Sequence, residues 1–333
     1  MCAPDVNVPN RRSGETPGRG LEPDGVPDRG GAPPPGLSDL PWELPHTFLG
    51  LDEEASDFGR CRVVILPVPY EATTSYGGGA RRGPGAILEA SRYVELYDRE
   101  LEADPSTVGI HTLPALELSR DGAPAAMAEL EGAYARVAEV AQDRFLIMLG
   151  GEHAVSAPAI RAQASRLGRL SVLQLDAHAD LRPEFEGSAH SHACAMARVL
   201  DVADVVSVGV RGVSREEVEV ADANAGVTLI WADEMWADDS WMDRALAALG
   251  DPVYLTFDVD YFDPSLVPST GTPEPGGGDW YRTLRFLRRV FRERNVVACD
   301  IVELAPIPGM HAPDFLVAKL VYKLIGYRFQ GGR

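Results

Sequence analysis

Four aspartates and two histidines stand in three short clusters: His153 closes Gly150-Gly151-Glu152-His153, Asp176, His178 and Asp180 share one Asp-Ala-His-Ala-Asp stretch, and Asp258 and Asp260 form Asp-Val-Asp. Four carboxylates and two imidazoles make the ligand complement of a site for two divalent metal ions. Each cluster alone has an ordinary explanation. An isolated Asp-x-His-x-Asp also describes a solvated strand end, His153 after two glycines could cap a helix, and Asp258 with Asp260 could cap the turn announced by Asp263-Pro264. Buried together, however, these like charges repel unless cations neutralise them.

The elements that would position them can be read next. Residues 145–149, 171–175 and 253–257 are short apolar or β-branched runs that read as buried parallel strands. Side chains alternate along an extended segment, so Asp176, His178 and Asp180 are expected to project together, as are Asp258 and Asp260. Ala177, Ala179 and Val259 then turn into packing. In open α/β sheets ligands bind beyond the carboxyl ends of the strands, which is where all three clusters fall.

The chain divides near residue 45. Residues 1–45 are rich in proline and glycine, including Pro33-Pro34-Pro35-Gly36, and are expected to be flexible, with one catalytic domain over 46–333. From Phe48 onward strands and helices alternate. Strands are expected at 61–68, 205–210, 227–231 and 296–301 besides the three above. A helix opened by Pro84 is expected within 83–97, and further helices at 124–143 and at 312–326. Such alternation implies an α/β fold, a mostly parallel sheet with helices on both faces.

Composition narrows the function. A chain of 333 residues with 45% hydrophobic content can bury a substantial core. No apolar run approaches the ~20 residues of a membrane span, and no charged-then-apolar leader opens the sequence, so neither a membrane nor export is expected. Cys2, Cys61, Cys194 and Cys299 are scattered without zinc-type spacing and suggest reduced thiols in the cytoplasm. The formal net charge of −19 argues against nucleic acid and would help attract a small cationic substrate.

In this order, the clusters resemble those of the ureohydrolase family of arginases and agmatinases, from about His46 to the C-terminus. The resemblance extends through Val68-Pro69-Tyr70-Glu71, Thr74-Ser75-Tyr76, Gly79-Ala80-Arg81, Gly109-Ile110-His111 and Ser191-His192-Ala193-Cys194. It continues in Ser207-Val208-Gly209-Val210-Arg211, Thr270-Gly271-Thr272-Pro273-Glu274-Pro275-Gly276-Gly277 and Asp300-Ile301-Val302-Glu303-Leu304-Ala305-Pro306. It implies the three-layer arginase-like fold and assembly as a homotrimer or homohexamer.

By that resemblance Asp176 and Asp258 bridge two ions, His153 and Asp180 complete one site, and His178 and Asp260 complete the other. The family usually carries two Mn2+, with Ni2+ in some relatives, and a carboxylate-rich shell suits manganese. Two such ions lower the pKa of a shared water enough to leave hydroxide near neutral pH. A guanidinium carbon is a poor electrophile, so it also needs orientation. Glu303, in Asp-x-x-Glu-x-x-Pro, would pair with the planar guanidinium, and Asp180 would accept a hydrogen bond from the nucleophile. His192 aligns with the loop histidine that transfers a proton to the leaving amine, and His190 competes for that role.

Arginases follow their Asp-x-His-x-Asp with an Asn-Thr-Pro-Leu-type stretch that grips the α-amino and α-carboxylate groups. Here Leu181-Arg182-Pro183-Glu184-Phe185-Glu186-Gly187 replaces it. Glu184 and Glu186 would favour the ammonium of agmatine and repel a carboxylate. The resemblance is nearest to agmatinase, which yields putrescine and urea. Other guanidino substrates, a silent polyamine- or guanidine-binding protein, and a two-metal phosphoesterase are the rival readings. The last would want more phosphate clamps than Arg211.

Overall fold

Eight strands form one sheet in which every neighbouring pair is parallel, in a computed structural model that describes residues 43–330. They are β1 Val63–Val68, β2 Ile110–Thr112, β3 Phe145–Gly150, β4 Leu170–Leu175, β5 Ala203–Val210, β6 Val227–Trp231, β7 Val253–Asp258 and β8 Val296–Val302. The order across the sheet is β2-β1-β3-β8-β7-β4-β5-β6. The last two strands thus fill the gap between β3 and β4. The four strands that end in Glu152-His153, Asp176, Asp258 and Glu303 therefore lie side by side at the centre of the sheet.

Both faces of the sheet are covered, which is why β1, β3, β4 and β7 are buried along their whole length and read as unbroken apolar runs. On one face Val63, Ile65, Ile147, Leu175 and Phe257 pack against helices α1 Gly83–Ser91, α6 Ser240–Ala248, α7 Trp280–Glu293 and α8 Ala312–Gln330. On the other, Val64, Leu66, Met148, Val172 and Tyr254 meet α2 Ala123–Ala141, α3 Ser156–Leu167 and α4 Arg215–Ala223. A short α5, Ala232–Ala237, follows β6. Three layers result.

Within the stretch 83–97 expected to contain a helix, α1 occupies Gly83–Ser91 and ends where the Ser91 hydroxyl donates to the Leu88 carbonyl and accepts the Leu49 N–H, side-chain bonds that compete with the helical ladder. The edge strand β2 has three residues, too few for a periodic signal. The expected flexible extension, residues 1–45, lies outside the described residues except for its last three. Among the described residues no helix is long and apolar enough to cross a membrane.

Candidate metal centre and active site

Main-chain contacts stitch the carboxyl end of β3 to the segment that leaves β1 on one side and to the end of β8 on the other. Glu152 N donates to Tyr70 O at 2.9 Å and Glu303 N donates to Gly151 O at 2.8 Å. A side chain on Gly151 would collide with the Tyr70 carbonyl, so only glycine fits this close approach. His153 then falls in a single 3-10 turn, His153–Val155, beyond the strand.

The alternation expected for Asp176-His178-Asp180 and Asp258-Asp260 does not place these side chains. β4 and β7 end at Leu175 and Asp258, Asp180 adopts φ +53°, and Asp260 lies in the 3-10 turn Val259–Tyr261. Backbone N–H groups orient the carboxylates instead. Asp176 Oδ1 accepts His178 N at 2.6 Å, Asp258 Oδ1 accepts Asp260 N at 2.8 Å, and Asp260 Oδ1 accepts Ala177 N at 2.9 Å. Gln174 donates to Asp176 Oδ2 at 2.7 Å. Ala177, Ala179 and Val259 are fully buried, as expected.

The remaining oxygens converge. His153 Nδ1 lies 3.0 Å from Asp176 Oδ2, 3.0 Å from Asp180 Oδ2 and 3.4 Å from Asp258 Oδ2, while His178 Nδ1 lies 2.9 Å from Asp260 Oδ2. Two tight groups able to hold a metal ion emerge, His153-Asp176-Asp180 and Asp176-His178-Asp260, joined by Asp176. Asp258 reaches the first group from β7 without belonging to either tight set. All four aspartates are buried.

The His153 ring shows that this arrangement fits metal. Its Nε2 is 2.9 Å from Thr256 Oγ1, and that hydroxyl donates to Asp300 Oδ1 at 2.6 Å, so the imidazole supplies Nε2–H and keeps a lone pair on Nδ1. Nδ1 is buried without a hydrogen bond and faces three carboxylate oxygens. Oxygen and nitrogen lone pairs so placed require a cation between them, a proton or a metal ion. Left to themselves, these groups titrate far from their usual ranges. Burial, then the charge of Asp176, pushes Asp180 up to about 6, and burial with Asp260 and Asp176 raises Asp258 well above the carboxylate range. Burial opposes protonation of His178, but Asp260 and Asp176 prevail and push it up to about 12.

A cavity of about 310 Å³ opens over these groups. Glu303 lines it from the end of β8, buried and at φ +65°, a strained conformation for a non-glycine residue. Its Oε1 accepts His153 N at 2.6 Å, and burial pushes its carboxyl up to about 8. His192 lines the same cavity. His192 Nδ1 is 3.2 Å from Thr73 Oγ1, which donates to the fully buried Glu152 at 2.9 Å. With its proton given to Glu152, the hydroxyl accepts from Nδ1–H, Ser191 Oγ lies 3.3 Å from the same nitrogen, and Nε2 is left as the ring nitrogen without a partner among the described residues. Burial, then the charges of His153 and His178, lowers the His192 pKa.

The other expected residues fall elsewhere. His190 lines a separate cavity beside Arg198 and Asp201. Glu184 and Glu186 are exposed and outside the lining of the metal cavity, to which this stretch contributes Arg182 and Phe185. Four residues given no role at this site from the sequence bear on it: Thr73 and Glu152 behind His192, and Arg211, weighed above only as a phosphate clamp, with Glu274 beside His178. All but Thr73 stand inside family-like motifs, yet no spacing rule marks their roles.

Comparison with known proteins agrees with this geometry. A sequence model of the arginase family matches residues 61–326. The chain is 40% identical over 289 residues to a protein of Synechocystis named N(1)-aminopropylagmatine ureohydrolase, covering 85% of this chain and 94% of that one. It is 32% identical over 293 residues to a Pyrococcus horikoshii agmatinase, covering 85% and 98%. The crystal structure of agmatine ureohydrolase from Thermoplasma volcanium superposes with a TM-score of 0.74 at 29% identity, covering 83% of this chain and 93% of that one. The chain belongs to the arginase family and is one of its metal-dependent amidinohydrolases, a ureohydrolase close to agmatinase.

Proposed function

We propose that the chain hydrolyses the guanidinium group of a polyamine-type substrate, N(1)-aminopropylagmatine with agmatine as its shorter counterpart, releasing urea and the free amine. One observation carries this reading: two acid-imidazole groups sharing Asp176 stand in one cavity with a buried carboxylate, Glu303, and a histidine, His192. Agmatine follows from the sequence resemblance. The aminopropyl derivative is preferred because the relative named for it aligns at 40% identity against 32% for the agmatinase.

His153 and Asp180 would hold one ion, His178 and Asp260 the other, with Asp176 and Asp258 shared. When bound, two divalent ions, manganese by family habit or nickel, supply an activated water at neutral pH. Glu303 pairs with the planar guanidinium and turns its carbon toward the nucleophile. The cation also offsets the burial that otherwise favours protonated Glu303. Asp180 accepts a hydrogen bond from the attacking water. His192, held through Nδ1 by Thr73, would take up at Nε2 a proton released by the attacking water and pass it to the departing amine nitrogen.

Arginine fits this cavity poorly. Arg182 lines it but is committed, with Nε 3.6 Å from Glu217 Oε2 and its guanidinium 4.9 Å from the Phe185 ring centroid. An α-carboxylate would therefore be desolvated without a free cation. A homotrimer or homohexamer in the cytoplasm is the proposed setting, in keeping with the family resemblance and with the free, buried Cys61, Cys194 and Cys299.

The test is urea release by the metal-loaded chain from N(1)-aminopropylagmatine, agmatine, arginine and guanidinobutyrate, with a phosphoester as control. Efficiency should be highest on the first, next on agmatine and low on the rest. Faster turnover of arginine, guanidinobutyrate or the phosphoester would sink the reading.

A further inference from the structure

The carboxylates lining the cavity are almost all committed. Asp180, Asp258 and Asp260 belong to the ligand set, and Glu303 is tied to His153 N. Glu217 accepts Leu181 N at 3.2 Å through Oε1, and Ser214 N at 2.9 Å and Ser214 Oγ at 2.8 Å through Oε2, with Arg182 beside it. Those Ser214 contacts close the N-terminal cap of α4. Glu274 is the exception. It lines the cavity half-buried, and among the described residues its carboxylate has neither a hydrogen bond nor an ion pair.

Its backbone is firmly held. Arg211 donates to the Glu274 carbonyl from Nη2 at 2.8 Å and from Nε at 3.2 Å, and the same Nη2 donates to the Asp260 carbonyl at 2.7 Å. Glu274 N donates to Thr272 O at 2.9 Å, and Pro273 and Pro275 restrict the chain on either side. One guanidinium thus joins the Glu274 segment to a metal-ligand turn. Gly212 makes room for it. A side chain there would approach His178 Nε2 to 2.9 Å and Glu274 Cγ to 3.3 Å, so the Glu274 stem passes beside the His178 ring only because residue 212 has none.

We propose that Glu274 is the specificity-determining carboxylate that pairs with an ammonium group on the distal chain of the substrate, while Glu303 takes the guanidinium. This rests on the reading that the substrate is a guanidine with a cationic tail. A carboxylate pre-positioned by its backbone and lacking an internal partner loses little entropy and breaks no protein contact when an ammonium arrives. Being half-buried, it can meet a tail that extends from the cavity toward solvent.

The test compares urea release from N(1)-aminopropylagmatine, agmatine and butylguanidine, which carries the same reacting group without a distal charge. In Glu274→Gln the preference for the amine-bearing substrates over butylguanidine, as a ratio of kcat/KM, should fall roughly 10–100-fold, mainly through KM. Metal content should remain that of the parent protein. A preserved ratio overturns the proposal, whether all rates stay the same or all fall together. A common fall with lost metal would instead assign Glu274 to holding the His178 ring. Glu274→Lys gives an independent arm, in which guanidinobutyrate should gain on agmatine by a similar factor, and no gain counts against the proposal. Should the parent protein itself favour butylguanidine or guanidinobutyrate, the cationic-tail reading fails first, and the parent measurement alone reveals it.

Discussion

Glu303 Oε1 accepts the backbone N–H of His153 at 2.6 Å, so the carboxylate proposed for the guanidinium is registered against the very residue that begins the metal site. The contact joins the ends of two adjacent strands, β3 and β8, and persists whatever the side chain of His153 binds. Glu303→Gln keeps an oxygen acceptor for this N–H but loses the charge that pairs with guanidinium. Catalytic efficiency should fall by about 100-fold or more, with both metals retained. Steady-state kinetics beside metal analysis decides it, and unchanged kinetics would reduce Glu303 to a structural tie.

The shared position of Asp176 gives a graded metal prediction. It belongs to both tight ligand groups, whereas His178 and Asp260 belong to one and His153 and Asp180 to the other. Asp176→Ala should deplete both ions and abolish urea release. His178→Ala or His153→Ala should deplete mainly one. Asp258→Ala should empty or disorder the pair if Asp258 bridges as the resemblance implies. Metal-to-protein ratios after gel filtration check each case, and two retained ions with near-normal turnover in Asp176→Ala would remove it from the bridge.

The convergence of the six acidic and imidazole residues is legible in the sequence because each follows an apolar run whose burial on both faces demands a strand, and residues of ligand type cluster where those strands end. What local spacing cannot supply is the path of the chain beyond the strand. The left-handed backbone at Asp180 and the 3-10 turn at Asp260 replace the simple alternation that strand geometry suggests. Partners far apart in sequence are equally hidden. Thr73 meets Glu152 across 79 residues and Arg211 meets Glu274 across 63. The acidic pair Glu184 and Glu186 shows the converse, for charge near a site in sequence does not place it in the cavity, and the intervening Phe185 lines it instead.

Removing metal should make stability depend on pH in a particular direction. Burial raises Asp180 from 3.8 to about 6 and Glu303 from 4.5 to about 8, so between those limits the folded apo-protein binds more protons than the unfolded chain. Stability contributed by these groups is therefore fully present below their unfolded values and lost as pH rises through the folded ones. The Tm of chelator-treated protein should decline from about pH 5 to pH 8. Metal-loaded protein should not follow this decline, and loading near neutral pH should release protons into a weakly buffered solution. A Tm of the chelated protein that climbs over this range would contradict the sign.

Thr73 offers the last prediction, because its hydroxyl stands between a buried carboxylate and the imidazole proposed for proton transfer. It gives its proton to Glu152 at 2.9 Å, receives the His192 backbone N–H at 3.0 Å, and lies 3.2 Å from His192 Nδ1. Ser191 Oγ lies 3.3 Å from the same Nδ1, so both hydroxyls hold the ring by one nitrogen, and Thr73, its own proton committed to Glu152, favours the tautomer that leaves Nε2 free. Thr73→Val keeps the shape and deletes the hydroxyl, so the neutral imidazole can place its proton on either nitrogen. Only the Ser191 hydroxyl, 3.3 Å away, then remains on Nδ1, so more molecules present the wrong atom, the ring is held less firmly, and Glu152 loses one of its three donors. The expected result is a fall in kcat of about tenfold with little change in KM and no loss of metal. Thr73→Ser should restore most of the rate, since it returns the hydroxyl without the methyl group. A valine variant with normal kcat, or a serine variant as impaired as the valine one, would show that His192 is positioned by packing against Phe185 rather than through Thr73.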